Sequence, residues 1–252
     1  MRVRDLTISY GREPVLEGAS IEVEHGEFVS LVGPSGSGKS SLLRAVIGLQ
    51  HPLAGTVEAG YAPSEIGMLF QDDALLPWET ARDNVALGLT FNGMDRRLAL
   101  VQGDFWLDKL GLAGFGDRFP RHLSGGQRKR VAIAQVLAMQ PKLLLMDEPF
   151  ASLDAIVRAR IIQDVAELVE RERISVLLVT HDLEEAISLS DRVYLLSQGP
   201  RARITQQYQV PIARPRDLVK ARVHPAFGRL YEKLWNDLSR EVYFDRLAEA
   251  AE

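Results

Sequence analysis

The chain has 252 residues, 46% of them hydrophobic and 25% charged, which is enough to bury a substantial core as one large domain or two small ones. The formal net charge of −4 gives no global reason for nucleic-acid binding. The absence of cysteine excludes a disulfide framework, a thiolate metal site and a cysteine nucleophile. Met1-Arg2-Val3-Arg4-Asp5 leads straight into an amphipathic stretch without a signal-type apolar segment. No apolar run approaches the roughly 20 residues that span a bilayer, so the expectation is a protein soluble by itself, reaching any membrane through a partner.

In chain order, Val3, Leu6, Ile8 and Tyr10 mark a first strand and Gly11-Arg12-Glu13-Pro14 a turn, with Val15-Leu16 and Ala19-Ile21-Val23 in the strand that follows. Phe28-Val29-Ser30-Leu31-Val32 is an apolar run that predicts a buried strand, and residues 41–47 predict a helix. A short strand is expected around Thr56-Val57-Glu58 and another at residues 66–70, ending at Gln71. From about residue 72 to 138 the pattern turns helical and more polar, with the main helices over 82–89 and 96–110. Strand 142–146, helix 155–170, strand 175–179, helix 183–189 and strand 192–197 follow. Strands alternating with helices imply an α/β fold with a mainly parallel sheet covered on both faces. The helical stretch between Gln71 and Lys142 interrupts this alternation and reads as an inserted subdomain of about residues 72–140. Residues 1–210 then form the main domain, and 211–252 a helical tail. In that tail Phe227, Leu230, Tyr231, Leu234, Trp235, Leu238 and Val242 fall at helical spacing and define one apolar face, expected to pack on the parent domain.

Gly33-Pro34-Ser35-Gly36-Ser37-Gly38-Lys39-Ser40 satisfies G-x-x-x-x-G-K-[ST] at every fixed position, between a predicted strand and a predicted helix. That arrangement turns backbone N–H groups and the positive end of a helix dipole towards an anion. Glycines remove the Cβ atoms that would hold the backbone away from phosphate. Lys39 can reach the β/γ-phosphates and the Ser40 hydroxyl can ligate Mg²⁺, so the chain is expected to bind a nucleoside triphosphate. Leu143-Leu144-Leu145-Met146 ends in Asp147-Glu148, and a buried parallel strand delivers its C-terminal side chains to the crevice where α/β sheets bind ligands. Asp147 is assigned to the metal and Glu148 to the general base that polarises water. Leu123-Ser124-Gly125-Gly126-Gln127 opens a further helix, with Ser124 as N-cap and two glycines leaving N–H groups uncovered. By itself Ser-Gly-Gly reads as a plain helix cap. As a second anion site it is redundant within one monomer, and makes sense if it faces the nucleotide of another subunit.

The order of these segments, from about Val3 to Ser197, resembles the ATP-binding subunit of an ATP-binding cassette (ABC) transporter. The resemblance implies a RecA-like P-loop core with an antiparallel β subdomain on the N-terminal side. Tyr10 matches the aromatic that stacks on adenine, and Gly33 to Ser41 the Walker A loop. Gln71 matches the Q-loop glutamine, which in the family touches both Mg²⁺ and the membrane-domain interface. Ser124, Gly125, Gly126 and Gln127 lie in the signature sequence, and Asp147 and Glu148 match the Walker B aspartate and catalytic glutamate. Ser152-Leu153-Asp154 match the D-loop that communicates across the dimer, and His181 the switch histidine at the γ-phosphate. ATP and Mg²⁺ are implied, as is a head-to-tail homodimer with each ATP between one P-loop and the partner's signature helix.

Phe70-Gln71-Asp72-Asp73-Ala74-Leu75-Leu76-Pro77-Trp78, followed by Asp83-Asn84-Val85, resembles importer subunits of the nitrate/sulfonate/taurine group. That likeness implies permease subunits docking near Gln71 to Trp78, indirectly a solute-binding protein, and a peripheral place on the cytoplasmic face of a bacterial inner membrane. Gln135 sits where many relatives carry Arg, and the resemblance implies a lost ion pair that loosens the helical subdomain without loss of activity. The alternative class, a non-transport cassette of translation or DNA repair, lacks support because the chain has one cassette and neither a coiled-coil nor a zinc insertion.

Overall fold

The computed structural model describes residues 1–151 and 153–249. In chain order, strands β1 (Arg2–Ser9), β2 (Pro14–Glu22) and β3 (Phe28–Val32) precede helix α1 (Lys39–Val46). Strands β4 (Ala54–Glu58) and β5 (Ile66–Leu69) lead to helices α2 (Ala81–Phe91), α3 (Arg96–Lys109) and α4 (Gly125–Ala138). Then come β6 (Leu143–Asp147), α5 (Ala155–Arg171), β7 (Ser175–Thr180), α6 (Leu183–Leu189), β8 (Arg192–Leu196) and β9 (Ile204–Gln209). Helices α7 (Leu218–Arg222) and α8 (Pro225–Glu249) come last. The elements group into two compact units, one made of Met1–Tyr61 and the stretch from Val169 onward, the other of Ala62–Leu168.

In the first unit β2, β1 and β4 form an antiparallel sheet in which Val3, Leu6 and Ile8 of β1 are buried. Leu6 and Ile8 follow the strand's period of two, and the three-residue step from Val3 is taken up by a register shift beside Asp5, which adopts φ of +48°. The second sheet of this unit runs β7-β3-β8-β9, with β3 parallel to both β7 and β8. Every residue of β3 and β7 is buried, which is why both read as apolar runs rather than alternating ones. The buried hydroxyl of Ser30 inside β3 pairs with that of Ser190 at 2.5 Å, so neither is left unsatisfied. Strand β9, which the sequence pattern did not predict, is antiparallel to β8 at the sheet edge. Its run Ile-Thr-Gln-Gln-Tyr-Gln buries only Tyr208, so the hydrophobic signal is too weak to announce it.

The tail joins the first unit's core. Phe227 and Leu234 of α8 pack with Val32, Leu183, Ile187 and Leu195, and Leu230, Tyr231 and Leu238 flank them. Phe227, Tyr231 and Trp235 stack at 6.4 Å steps along the helix, and Trp235 at the end of the ladder stays half exposed. The Tyr208 hydroxyl donates to Asp237 at 2.5 Å, and burial followed by that carboxylate pushes its pKa above the ordinary tyrosine value. Val242's side chain and Ser152, both singled out in the sequence, lie outside the described residues.

In the second unit β5 and β6 pair in parallel, and helices α2, α3 and α4 pack on one another. Each of these helices starts at a side-chain cap: Thr80 accepts from the Asp83 amide, Asp95 from those of Arg97 and Leu98, and Ser124 from that of Gln127. No helix among the described residues is long and apolar enough to cross a membrane.

Leu234 is fully buried between α8 and the β3–β8 core. Leu234→Ala is expected to cost about 2–5 kcal/mol by lost burial and the cavity left behind. Urea unfolding of the full chain measures it, and a loss below about 0.5 kcal/mol would mean that α8 is not part of the folded core.

Candidate nucleotide-binding site

The register of β3 against its neighbours sets the first half of the site. Val32 lies opposite Thr180 of β7, so residue 33 and residue 181 leave adjacent parallel strands at the same level. Gly33 begins the P-loop with no room for a side chain, because a Cβ there would lie 2.9 Å from both Cβ and the carbonyl oxygen of Leu196. Gly36 and Gly38 adopt φ of +79° and +87°, a conformation open to glycine and strained for other residues. Gly36 faces open space, the access a phosphate needs, whereas Gly38 is packed against Val15 and Leu16. Ser35 is exposed, and the buried Ser37 closes the turn by donating to the Pro34 carbonyl at 2.8 Å.

Lys39 folds back into the loop, its ammonium donating to the carbonyls of Gly33 at 2.9 Å and Pro34 at 2.6 Å. A buried ammonium at these carbonyls lies where a polyphosphate would accept its protons more strongly, since phosphate oxygens carry the charge opposite to the lysine's. The loop therefore fits a triphosphate. Ser40 stands in the first turn of α1, and Ser41 receives the Tyr10 hydroxyl at 3.0 Å. Tyr10 sits just past β1 and is 57% exposed, tethered at the hydroxyl and open to stacking. His181 is exposed in the turn between β7 and α6. Thr180 organises that turn, accepting from the Asp182 amide at 3.0 Å and donating to Glu185 at 2.9 Å.

The second unit carries the other sequence-predicted residues. Leu69 of β5 lies opposite Met146 of β6, so Gln71 and Glu148 emerge at one end of that strand pair. Asp147 is buried at the end of β6, while Glu148 is partly exposed and adopts φ of +42°. A left-handed glutamate costs of order 1–3 kcal/mol and persists where the surrounding structure enforces it, as at functional sites. Ser124 and Gln127 form a reciprocal capping box, each side chain accepting from the other's backbone amide, at 3.3 and 2.9 Å. Gly125 is open, since a Cβ there would meet only Arg128 within 4 Å, but a Cβ on Gly126 would come to 2.7 Å from Val157 of α5. The second glycine of this helix start thus has a packing reason as well. Asp154 caps α5 through the Val157 amide at 3.0 Å.

The segment after Gln71 is clamped at both ends. The buried Asn84 amide holds its far end, accepting from the Leu76 amide at 2.8 Å and donating to the carbonyls of Leu76, Glu79 and Thr80. At its near end Lys129, buried on α4, donates to the Gln71 carbonyl. Between the clamps the loop projects Trp78, 69% exposed. Neither Asn84 nor Lys129 was assigned a role from the sequence. A lysine at the position four before Ile133, on the buried stripe of α4, was the available signal. Gln135 lines a cavity of about 420 Å³ with Phe70, Asp73, Asn92 and Val136.

A glycine-rich loop that runs from a buried parallel strand into a helix and carries a buried lysine is the form of a P-loop nucleotide-binding protein. The ABC transporter family model matches residues 16–151. The aliphatic sulfonates import ATP-binding protein SsuB 2 of Rhizobium johnstonii is 44% identical over 217 residues, covering 86% of this chain and 84% of that protein. The nitrate import ATP-binding protein NrtC of Synechococcus elongatus is 38% identical over 241 residues, covering 92% of this chain and 36% of that protein. Among solved structures, a dimeric post-hydrolysis state of the ATP-binding cassette MJ0796 bound to ADP and Pi superposes with a TM-score of 0.74 at 29% identity. It covers 84% of this chain and 99% of that one. The chain belongs to the ABC transporter family, as an ATP-binding, ATP-hydrolysing subunit.

Gly126→Ala is expected to destabilise the chain by about 1–3 kcal/mol through overlap with the rotamer-restricted Val157. Adding Val157→Ala should recover part of that loss in urea unfolding. An unchanged midpoint for Gly126→Ala would show that the contact is not tight.

Proposed function

We propose that this subunit powers uptake of a small anionic solute, of the aliphatic sulfonate or nitrate type, through permease subunits that it does not itself contain. The observation that carries the reading is the exposed, doubly clamped loop ending in Trp78, together with the likeness to import ATP-binding proteins. A large aromatic on a rigid loop is the kind of residue that anchors a protein–protein contact. The permease is proposed to dock over Gln71 to Trp78, with the subunit peripheral on the cytoplasmic face of a bacterial inner membrane. A solute-binding protein acts one step further out.

In this reading Gly33 to Ser41 hold the triphosphate and Tyr10 stacks on the base. Ser40, Gln71 and Asp147 offer the oxygen ligands that Mg²⁺ prefers, and the ion when bound neutralises phosphate charge. Glu148 accepts a proton from the attacking water, and His181 donates to the γ-phosphate as its charge grows. Ser124, Gly125, Gly126 and Gln127 serve the nucleotide of another copy, because a P-loop already cradles the chain's own. Asp154 communicates across that head-to-tail dimer. Residues 1–210 act as the ATPase domain, the helical insertion of about 72–140 as its moving part, and 211–252 as a tail belonging to the same body. ATP binding closes the dimer, hydrolysis reopens it, and the permease follows. Nucleic acid has no part in this cycle.

Glu148→Gln is expected to keep ATP binding, lower turnover at least ~100-fold and accumulate a closed dimer on size-exclusion chromatography. Hydrolysis at the wild-type rate would remove Glu148 from the role of base. Ser124→Arg should bind a fluorescent ATP analogue as the wild type does, yet fail to dimerise with ATP. Loss of binding by the isolated monomer would mean that the signature acts in cis. Co-purification from membranes should recover a multi-spanning protein, and recovery of ribosomes or DNA alone would overturn the transport reading.

A further inference from the structure

Lys129 is among the largest fully buried side chains of the described residues, yet it is a lysine, one turn into the signature helix. Its ammonium has three protons and meets three acceptors: the carbonyls of Gln71 at 3.0 Å and Phe70 at 3.4 Å, and Asp73 Oδ1 at 3.1 Å. Arg128 takes the other oxygen of the same carboxylate, Nε to Oδ2 at 3.3 Å, and its Nη1 donates to the Leu123 carbonyl at 2.9 Å. Leu123 immediately precedes Ser124, so one carboxylate connects the loop at Gln71 to the start of the signature helix. Ala74, next after Asp73, is held at φ of +52°, a strained backbone that needs an outside constraint to persist. A buried charge is retained at a cost unless fully paired, and here the pairing is complete.

We infer that Lys129 and Asp73 are positioning residues that lock the Gln71 loop to the signature helix, so that the permease-facing segment and the helix start offered to the other copy move as one rigid piece. The inference rests on the functional reading above and names the part that transmits motion within it. The Lys129 ammonium fixes the backbone of Gln71 rather than touching nucleotide, and an uncharged Met in its place fills a similar volume without supplying any of the three protons. The loop then loses its anchor while the helix keeps its cap.

The test compares the full-length wild type with Lys129→Met and with Asp73→Asn, whose carboxylate is partly exposed and whose fold is the safer of the two. Steady-state hydrolysis of Mg·ATP, titration with a fluorescent ATP analogue, and amide hydrogen exchange are measured on each. The expected result is a kcat lowered about tenfold in Lys129→Met and about threefold in Asp73→Asn, with analogue affinity within about twofold of wild type. Exchange should accelerate over residues 70–76 while the β3 and β7 amides stay as protected as before. Wild-type kcat with accelerated exchange at 70–76 would overturn the lock. So would a loss of kcat matched by lost analogue binding and general loss of protection, which is the mark of a purely structural residue. Failure of the import reading shows separately, as a wild-type chain that hydrolyses ATP but recovers no permease.

Discussion

The constraint on which the first unit depends is the pairing of a fully buried strand. Phe28–Val32 has no water on either face, so each backbone N–H and C=O must find a partner in β7 or β8. An unpaired group there costs about 1–3 kcal/mol, so slippage of one residue is excluded and the exits of the strands are fixed relative to each other. Because the strands are parallel, the P-loop at Gly33 and the turn at His181 leave at the same end of the sheet. The chemistry then needs only local loop geometry: glycines where a Cβ would strike Leu196 or where φ is positive, and a lysine folded on carbonyls that a phosphate can replace.

The second unit repeats this logic with a shorter pair. Leu69 against Met146 brings Gln71 and Glu148 to one end, and here the backbone is strained twice, at Glu148 and at Ala74. Strain of this sort survives only under outside constraint, and around Ala74 the constraint is visible as Lys129, Arg128 and Asn84 gripping the loop. Rigid presentation of Trp78 is the consequence. The same grip passes to the signature helix, whose own start is satisfied within itself by Ser124 and Gln127.

What was legible in the sequence follows from how local each signal is. The P-loop, the Asp147-Glu148 pair and the cap at Ser124 are short-range chemistry, and they stand where the pattern indicated. The buried strands announced themselves as apolar runs. Strand β9 did not, since an edge strand with glutamines outward buries a single tyrosine. In the sequence the second glycine of the signature shows only as an uncovered amide at a helix start, whereas its contact with Val157 depends on a helix far along the chain. Lys129 illustrates the limit most clearly: its place four residues before Ile133 hints at burial, but only the fold reveals three acceptors around it.

The central claim is that one nucleotide is completed by two copies of the chain, and mixing two disabled variants tests it directly. Lys39→Ala removes the P-loop lysine, and Ser124→Arg blocks the signature start; each alone should be inactive. Mixed in equal amounts, they can form a pair in which the intact P-loop of one meets the intact signature of the other. Hydrolysis is expected to reappear on mixing and to rise with the concentration of the second variant. Two variants that stay inactive at every mixing ratio, although each is folded and Ser124→Arg binds ATP, would contradict it.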